Sequence, residues 1–257
     1  MHRLQIRHML KKVVPGRWHG APILESVCQQ FGHNRLHLRE VCLEKVFPGF
    51  DKTPVTISLL PRGSWSTPIM DQIVLAKLVR LLQPRSVLEV GSFCGYTTRL
   101  LAENASPTTE IHALDINPNH GEAYFNTPLA GRIKRLIGSL DKWPLEAADR
   151  RRYDFIFLDA DHQQAAVESD TRHLLTMLAE GGLLLWHDYA DWGWMSGWNR
   201  VPEVLHAYSK ERPILGIPGT SLAVYRQGWT EEDVADLIDA REDGTEESHW
   251  TTELVRA

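Results

Sequence analysis

Two short segments concentrate groups able to move protons or hold a cation: L-D-A-D-H, carrying Asp159, Asp161 and His162, and W-H-D-Y, carrying His187 and Asp188. Each closes an apolar run, DFIFLDA at 154–160 and GLLLWHD at 182–188. Neighbouring strands of a parallel sheet deliver such residues, from their carboxyl ends, to one crevice. Carboxylates and imidazoles converging in a polar cleft suit a divalent cation, which chelates a hydroxyl, lowers its pKa and positions the oxygen. Without a metal, the same imidazoles suit general-base chemistry. Plainer roles compete: Asp161 reads best as the start of the following helix, His187 as a cap on the strand end, and His162 as a structural hydrogen-bonding histidine.

A second constellation lies upstream in E-V-G-S-F-C-G-Y-T, where Gly91 and Gly95 bracket a turn between an apolar run and a helix carrying Thr97 and Thr98. Glycine permits positive φ and close approach of a ligand to the backbone. Two glycines alone equally describe an ordinary turn. Asp115 adds weight, because it ends the next apolar run, IHALDI, twenty residues after Gly95. A carboxylate there accepts hydrogen bonds from both hydroxyls of a ribose. Nicotinamide enzymes use the same device, and a turn or capping role competes with it.

The elements that must position these groups follow from periodicity. Met70, Val74, Leu78, Leu81 and Leu82 recur at helical spacing between Pro68 and Gln83. Seven apolar runs follow, at 86–91, 111–116, 132–137, 154–160, 182–188, 213–217 and 221–226, alternating with amphipathic stretches. That alternation predicts a parallel sheet covered by helices on both faces. Helices are expected at 97–104 and at 163–180, the second with Gly181-Gly182 as its stop. Only Pro218-Gly219-Thr220 separates the last two runs, too little for a crossover, so they form an antiparallel hairpin. Thr230 with Asp233 starts a C-terminal helix over 230–241, and residues 1–60 read as an N-terminal cap.

The whole set resembles class I S-adenosylmethionine-dependent methyltransferases, and within them the small-molecule O-methyltransferases of catechol and antibiotic-pathway type. The first motif here is EVGSFCGYT, without the third glycine of a dinucleotide G-x-G-x-x-G turn. The resemblance covers about residues 60–226. It implies an α/β, Rossmann-like seven-stranded sheet with an antiparallel final hairpin, helices on both faces and an N-terminal helical cap. It divides the chain into a cap region at 1–66, a cofactor-binding domain at 67–228 and an acidic helix and tail at 229–257. It implies that Glu89, Gly91, Ser92 and Gly95 surround the amino-acid moiety of S-adenosylmethionine, that Asp115 holds the ribose and that Ile116 packs on the adenine. Ser139, in the Gly138–Asp141 turn, reaches the adenine edge. Asp159 serves cofactor and metal alike, with His187 and Asp188 as further ligands of a magnesium-like ion. His162, His187 and Asp188 are the catalytic candidates. His187 stands where catechol-type enzymes carry Asp, which shifts preference towards softer ions or towards a metal-independent O- or N-methyltransferase using His162 or His187 as base.

Composition narrows the classes of partner. The net charge is −5, but residues 230–257 carry about −8 of it, leaving a body near +3. Such a body lacks the basic stripe of a nucleic-acid binder, so a small-molecule substrate is expected. Cys28, Cys42 and Cys94 show no scaffold spacing. Without a signal-like or membrane-spanning run, the expectation is a cytoplasmic protein, with homodimerisation through the cap left open. Trp192, Trp194 and Trp198, among glycines, are read as a substrate-facing lid, with Ser64, Trp65 and Ser66 completing the pocket.

Overall fold

The computed structural model describes residues 38–58, 66–142, 152–189 and 199–238. Their centre is a seven-stranded sheet in the order β3-β2-β1-β4-β5-β7-β6. The strands are β1 (Ser86–Val90), β2 (Glu110–Asp115), β3 (Ile133–Ile137), β4 (Tyr153–Leu158), β5 (Leu178–Trp186), β6 (Leu215–Gly216) and β7 (Ala223–Arg226). β1 to β5 pair in parallel, and β7 runs antiparallel to both β5 and β6. The expected hairpin ending is therefore present.

Central strands are apolar on both faces, and each face feeds its own core. Val87, Phe155, Phe157, Leu183 and Leu185 join one buried cluster with the leading helix α2 (Ile69–Leu82) and α3 (Tyr96–Asn104). The alternate residues Leu88, Val90, Ile156, Leu158, Leu184 and Trp186 join the other with α5 (Gln164–Met177) and α6 (Val201–Tyr208). The period of two along each strand makes this division. Chain order reverses between β1 and β4, so the crevice of an open α/β sheet lies at their carboxyl ends.

Two expectations are corrected. The helix expected at 163–180 ends at Met177, and β5 begins at Leu178. Gly181 and Gly182 do not stop a helix; they lie in an irregular stretch of β5, where the β4 register jumps from Tyr153↔Leu178 to Phe155↔Leu183. A side chain at Gly182 would meet the Ala179, Tyr153 and Asp154 carbonyls at 3.0–3.1 Å, so glycine serves the strand contact. The helix expected at 230–241 is short, α7 (Glu231–Ala235), though it starts with the Thr230–Asp233 capping box. Within 38–58 the cap region holds one four-residue helix, α1 (Leu43–Val46), followed by turns over 47–52 and flanked by irregular backbone with isolated bridges. Residues 1–37 of the cap lie outside the described residues.

That segment has a structural task. Val41 donates to the Gly216 carbonyl at 3.0 Å and Gly216 to that of Arg39 at 2.8 Å, which covers the exposed edge of β6. Lys77 of α2 is buried and gives its ammonium to the carbonyls of Phe50, Asp51 and Thr53 at 2.9–3.1 Å. The lysine thereby pins the segment to the sheet's first covering helix. Among the described residues, no helix is long and apolar enough to cross a membrane.

Candidate functional site

The glycine turn follows β1 directly. Gly91 has φ +88°, and a Cβ there would sit 1.9 Å from the Asp159 carbonyl oxygen, so the turn lies against the end of β4. Gly95, at φ +82°, caps α3, where a Cβ would strike the Tyr124 ring at 2.6 Å. These are positions where only glycine combines the backbone angle with the close approach. Beside them Glu89 is 1% exposed and accepts a hydrogen bond from Thr98 Oγ1. Burial pushes its carboxyl up to about 8 against the opposing Thr98 hydrogen bond, with Asp159 and Asp115 adding to the rise. With that shift the protonated form is favoured near neutral pH.

Asp115 ends β2 and is already well held. Its Oδ2 accepts from the Phe93 amide at 2.7 Å, and its Oδ1 accepts from the Asn117 amide at 2.8 Å and faces His120 Nδ1 at 2.9 Å. A carboxylate offers about four acceptor sites, so ribose hydroxyls must use the remaining capacity or displace His120. Ile116 is 76% exposed, and Ile137, the β3 register neighbour of Asp115, is exposed too. Ile116 is thus an apolar side chain left bare just past the end of β2. Ser139 donates to Asp141 across the following turn.

The ends of β4 and β5 carry a dense charge cluster. His187 is 8% exposed, with Nδ1 3.1 Å from Asp188 Oδ1 and 3.4 Å from Asp159 Oδ1, and Nε2 3.2 Å from Asp71 Oδ2. These are ion-pair distances, yet neither nitrogen makes an aligned hydrogen bond. Burial alone would lower the His187 pKa, but Asp159, Asp188 and Asp71 outweigh it and raise it well above the usual value. His162 Nε2 lies 2.5 Å from Asp188 Oδ2, and despite its burial that partner raises its pKa. Asp188 itself is held well below the usual carboxylate range, since both imidazoles outweigh its burial. It sits at φ +57°, a strained angle for a non-glycine residue, which Asn199 supports by donating to its carbonyl at 2.8 Å.

Ligand atoms of Asp159, His162 and Asp188 all lie within 4.8 Å of one another, close enough to share a cation. His187 stands on the buried side of that group. Asp161 accepts from the Gln163 amide at 2.8 Å just before α5, in keeping with its reading as a helix-start residue. Trp192, Trp194 and Trp198 of the expected lid, and Ser64 and Trp65, lie outside the described residues. Ser66 lines a small recess with Gln72, Tyr96 and Arg99, beside α3.

Several groups at the site are not singled out by the sequence: Asp71, Phe93, His120 and Ser221, with Thr98 marked there only as a helix residue. One signal was present. Asp71 lies at i−3, i−4 and i−7 from Val74, Leu75 and Leu78, so it sits on the buried stripe of α2, where a carboxylate needs a partner.

Comparison with known proteins agrees with this architecture. Residues 88–189 match the family model described as a methyltransferase domain. Over 94 residues, 35% of this chain, the sequence is 35% identical to a catechol O-methyltransferase from Mycobacterium tuberculosis. Over 129 residues, 49% of this chain, it is 30% identical to a malonyl-[acyl-carrier protein] O-methyltransferase from Paenibacillus. The chain spans less than half of these relatives, 42% and 46% of their lengths. An O-methyltransferase from Bacillus cereus in complex with SAH superposes with a TM-score of 0.51 at 17% identity, covering 64% of this chain and 84% of that one. An SAH-bound methyltransferase from Podospora anserina gives 0.52 at 16% identity, covering 81% and 94%. The fold is thus that of these methyltransferases, residues 88–189 match a methyltransferase domain, and the sequence similarity to O-methyltransferases lies in relatives of which the chain spans less than half.

Proposed function

We propose that the protein transfers a methyl group from S-adenosylmethionine to a hydroxyl of a small molecule, with a divalent cation assisting, and that residues 67–228 carry this chemistry. The observation that carries the reading is one crevice with two unlike walls: a glycine turn with Glu89 and Asp115 on one side, and Asp159, His162, His187 and Asp188 on the other. Bound S-adenosylmethionine supplies a methyl group on a sulfonium, open to in-line displacement. The chain's part is to align the acceptor oxygen and remove its proton.

Glu89 and the backbone of Gly91, Ser92 and Gly95 take the amino-acid end of the cofactor, where a buried carboxyl suits an ammonium group. Asp115 takes the ribose, Ile116 the adenine face and Ser139 its edge. Asp159, His187 and Asp188 hold the cation, whose chemistry is to lower the pKa of a chelated hydroxyl. Asp159 and Asp188 lie close enough to share an ion with His162, and His187 Nδ1 faces the same two carboxylates at 3.4 and 3.1 Å, so two carboxylates with an imidazole nitrogen fit such an ion. His162, the more open imidazole, receives the proton. The catechol O-methyltransferase relative and the O-methyltransferase neighbours support the choice of oxygen as acceptor.

A second reading has its own observation. The 2.5 Å His162–Asp188 pair is an oriented base without any metal, so His162, or less favourably the buried His187, serves a metal-independent O- or N-methyltransferase. Calorimetry with S-adenosylhomocysteine and with NAD tests the common ground: binding of the first alone is expected, and binding of NAD alone would replace methyl transfer by nicotinamide redox chemistry. Dialysis against chelator separates the two methyltransferase readings. Activity lost and restored by Mg²⁺ or Mn²⁺ is expected, and full activity without metal ends the cation-assisted one.

A further inference from the structure

We infer that Asp71, on the leading helix, is a positioning residue for the cation site, fixing His187 so that Nδ1 is presented between Asp159 and Asp188. The inference rests on the cation-assisted reading above.

Asp71 is 1% exposed on the apolar stripe of α2. A carboxylate in that place costs several kcal/mol or more unless hydrogen-bonded and paired. Its partners are two. Ser221, just before β7, gives it a backbone amide at 3.2–3.3 Å and its hydroxyl. His187 faces it with Nε2 at 3.2 Å, its one ion pair among the described residues. Ser221 also accepts, through its carbonyl, the amide of Tyr189 at 2.9 Å. A brace therefore runs from α2 through Ser221 to both flanks of the His187–Asp188 loop, joining residues 150 positions apart.

The two ring nitrogens have different surroundings. Nε2 meets one carboxylate that is fully buried and tied down. Nδ1 meets two carboxylates that open towards the crevice, 3.1 and 3.4 Å away, without an aligned hydrogen bond. Buried polar atoms lacking aligned partners call for an explanation. A metal-ligating histidine gives one: it donates its second N–H to a carboxylate, which fixes tautomer and ring orientation and makes the ligating nitrogen more basic. Asp71 occupies that second position. Nothing else in the described cluster does, because Asp159 and Asp188 both lie on the Nδ1 side. The chemistry also selects the ion, since one imidazole among carboxylates favours Mn²⁺ or a neighbouring transition metal over Mg²⁺.

The test titrates Mn²⁺ into the full chain saturated with S-adenosylhomocysteine, read by the loss of the free-Mn²⁺ resonance signal. It compares wild type with Asp71→Asn and Ser221→Ala. Asn keeps the shape and an acceptor for Ser221 but removes the charge facing Nε2. Mn²⁺ affinity about 10–100-fold weaker in Asp71→Asn, with affinity for S-adenosylhomocysteine unchanged, is the expected result. A smaller loss in the same sense is expected for Ser221→Ala. Unchanged Mn²⁺ affinity in Asp71→Asn overturns the proposal. Should Asp71→Asn lose S-adenosylhomocysteine binding, and with it the fold, Ser221→Ala decides: weaker Mn²⁺ binding supports the brace and unaltered binding refutes it. Wild type that takes up no Mn²⁺ instead removes the cation reading itself, and the proposal with it, an outcome separate from failure in the variants.

Discussion

The two walls of the crevice solve different problems with different materials. The wall at the ends of β1 and β2 is mostly backbone: positive-φ glycines, amides converging on Asp115, and one neutral acid, Glu89. The wall at the ends of β4 and β5 is mostly charge, three carboxylates around two imidazoles. A cofactor with a fixed shape is met by fixed main chain. Proton transfer to an acceptor is met by side chains whose protonation can change. The walls also differ in reach, since the first is built within 89–141 and the second depends on Asp71 and Ser221 from either end of the domain.

The walls touch at Gly91, and the largest predicted effect lies there. Gly91→Ala drives a methyl group into the Asp159 carbonyl while holding φ at +88°. Overpacking and backbone strain together cost roughly 3–5 kcal/mol, and binding of S-adenosylhomocysteine and the geometry of Asp159 fail together. Urea unfolding checks the first and calorimetry the second. A folded variant that binds cofactor normally would break the claim that the walls share this contact.

His162→Gln tests their independence. Loss of a positioned base lowers kcat by about 10²–10⁴-fold. Because His162 belongs to the charged wall alone, affinity for S-adenosylhomocysteine stays as in wild type. Single-turnover rates beside calorimetry read both quantities. A parallel loss of cofactor affinity would make the division of labour wrong.

Glu89 sharpens the other side of the comparison through pH. Its carboxyl, raised from 4.5 to about 8, is neutral in the free protein below that value. A cationic cofactor favours the ionised form, so binding expels a proton, and affinity for S-adenosylmethionine rises with pH until it levels off above about 8. Between pH 6 and 8 the gain approaches about tenfold or more, and Glu89→Gln flattens the profile. Stability moves oppositely. A carboxyl with a raised folded pKa contributes fully below its unfolded value and loses that contribution as pH rises towards 8. Thermal unfolding of wild type and variant should therefore converge at low pH and diverge in the variant's favour near pH 8.

The contrast also explains what the sequence discloses. The backbone wall is written locally, since the Gly91–Gly95 spacing, Glu89 and Asp115 lie within 27 residues, and a turn needs only its own residues to be legible. The seven strands and the final hairpin follow from apolar runs and from the shortness of Pro218–Thr220, whereas the order of the strands in the sheet does not. The charged wall is legible in its members Asp159, His162, His187 and Asp188 but not in its arrangement. Nothing in the spacing of His187 reveals that Asp71 lies behind it, because that contact is made only when α2 packs over the sheet. The end of α5 was missed for a related reason: Gly181-Gly182 resembles a helix stop, whereas packing against the carbonyls of β4 makes it part of a strand.

The smallest predicted effect lies outside both walls. α7 is five residues long and is held at its start by a reciprocal cap, in which Asp233 donates its amide to Thr230 Oγ1 at 3.2 Å and its carboxylate accepts the Thr230 amide at 2.8 Å. The cap holds Val234 in the core and Leu237 where its carbonyl receives the Cys42 amide at 2.9 Å. Thr230→Ala removes one half of the cap, at a cost of about 1 kcal/mol. The Thr230 hydrogen bonds hold the Asp233 carboxyl below its usual range, so the cap's contribution is present above that range and fades as pH falls through the lowered value. The variant should show a lower Tm at neutral pH, a gap that narrows in acid, and unchanged affinities for S-adenosylhomocysteine and Mn²⁺. A change in Mn²⁺ affinity would extend the charged wall past β7 to the end of the described chain, since Ser221 and α7 are joined through that strand.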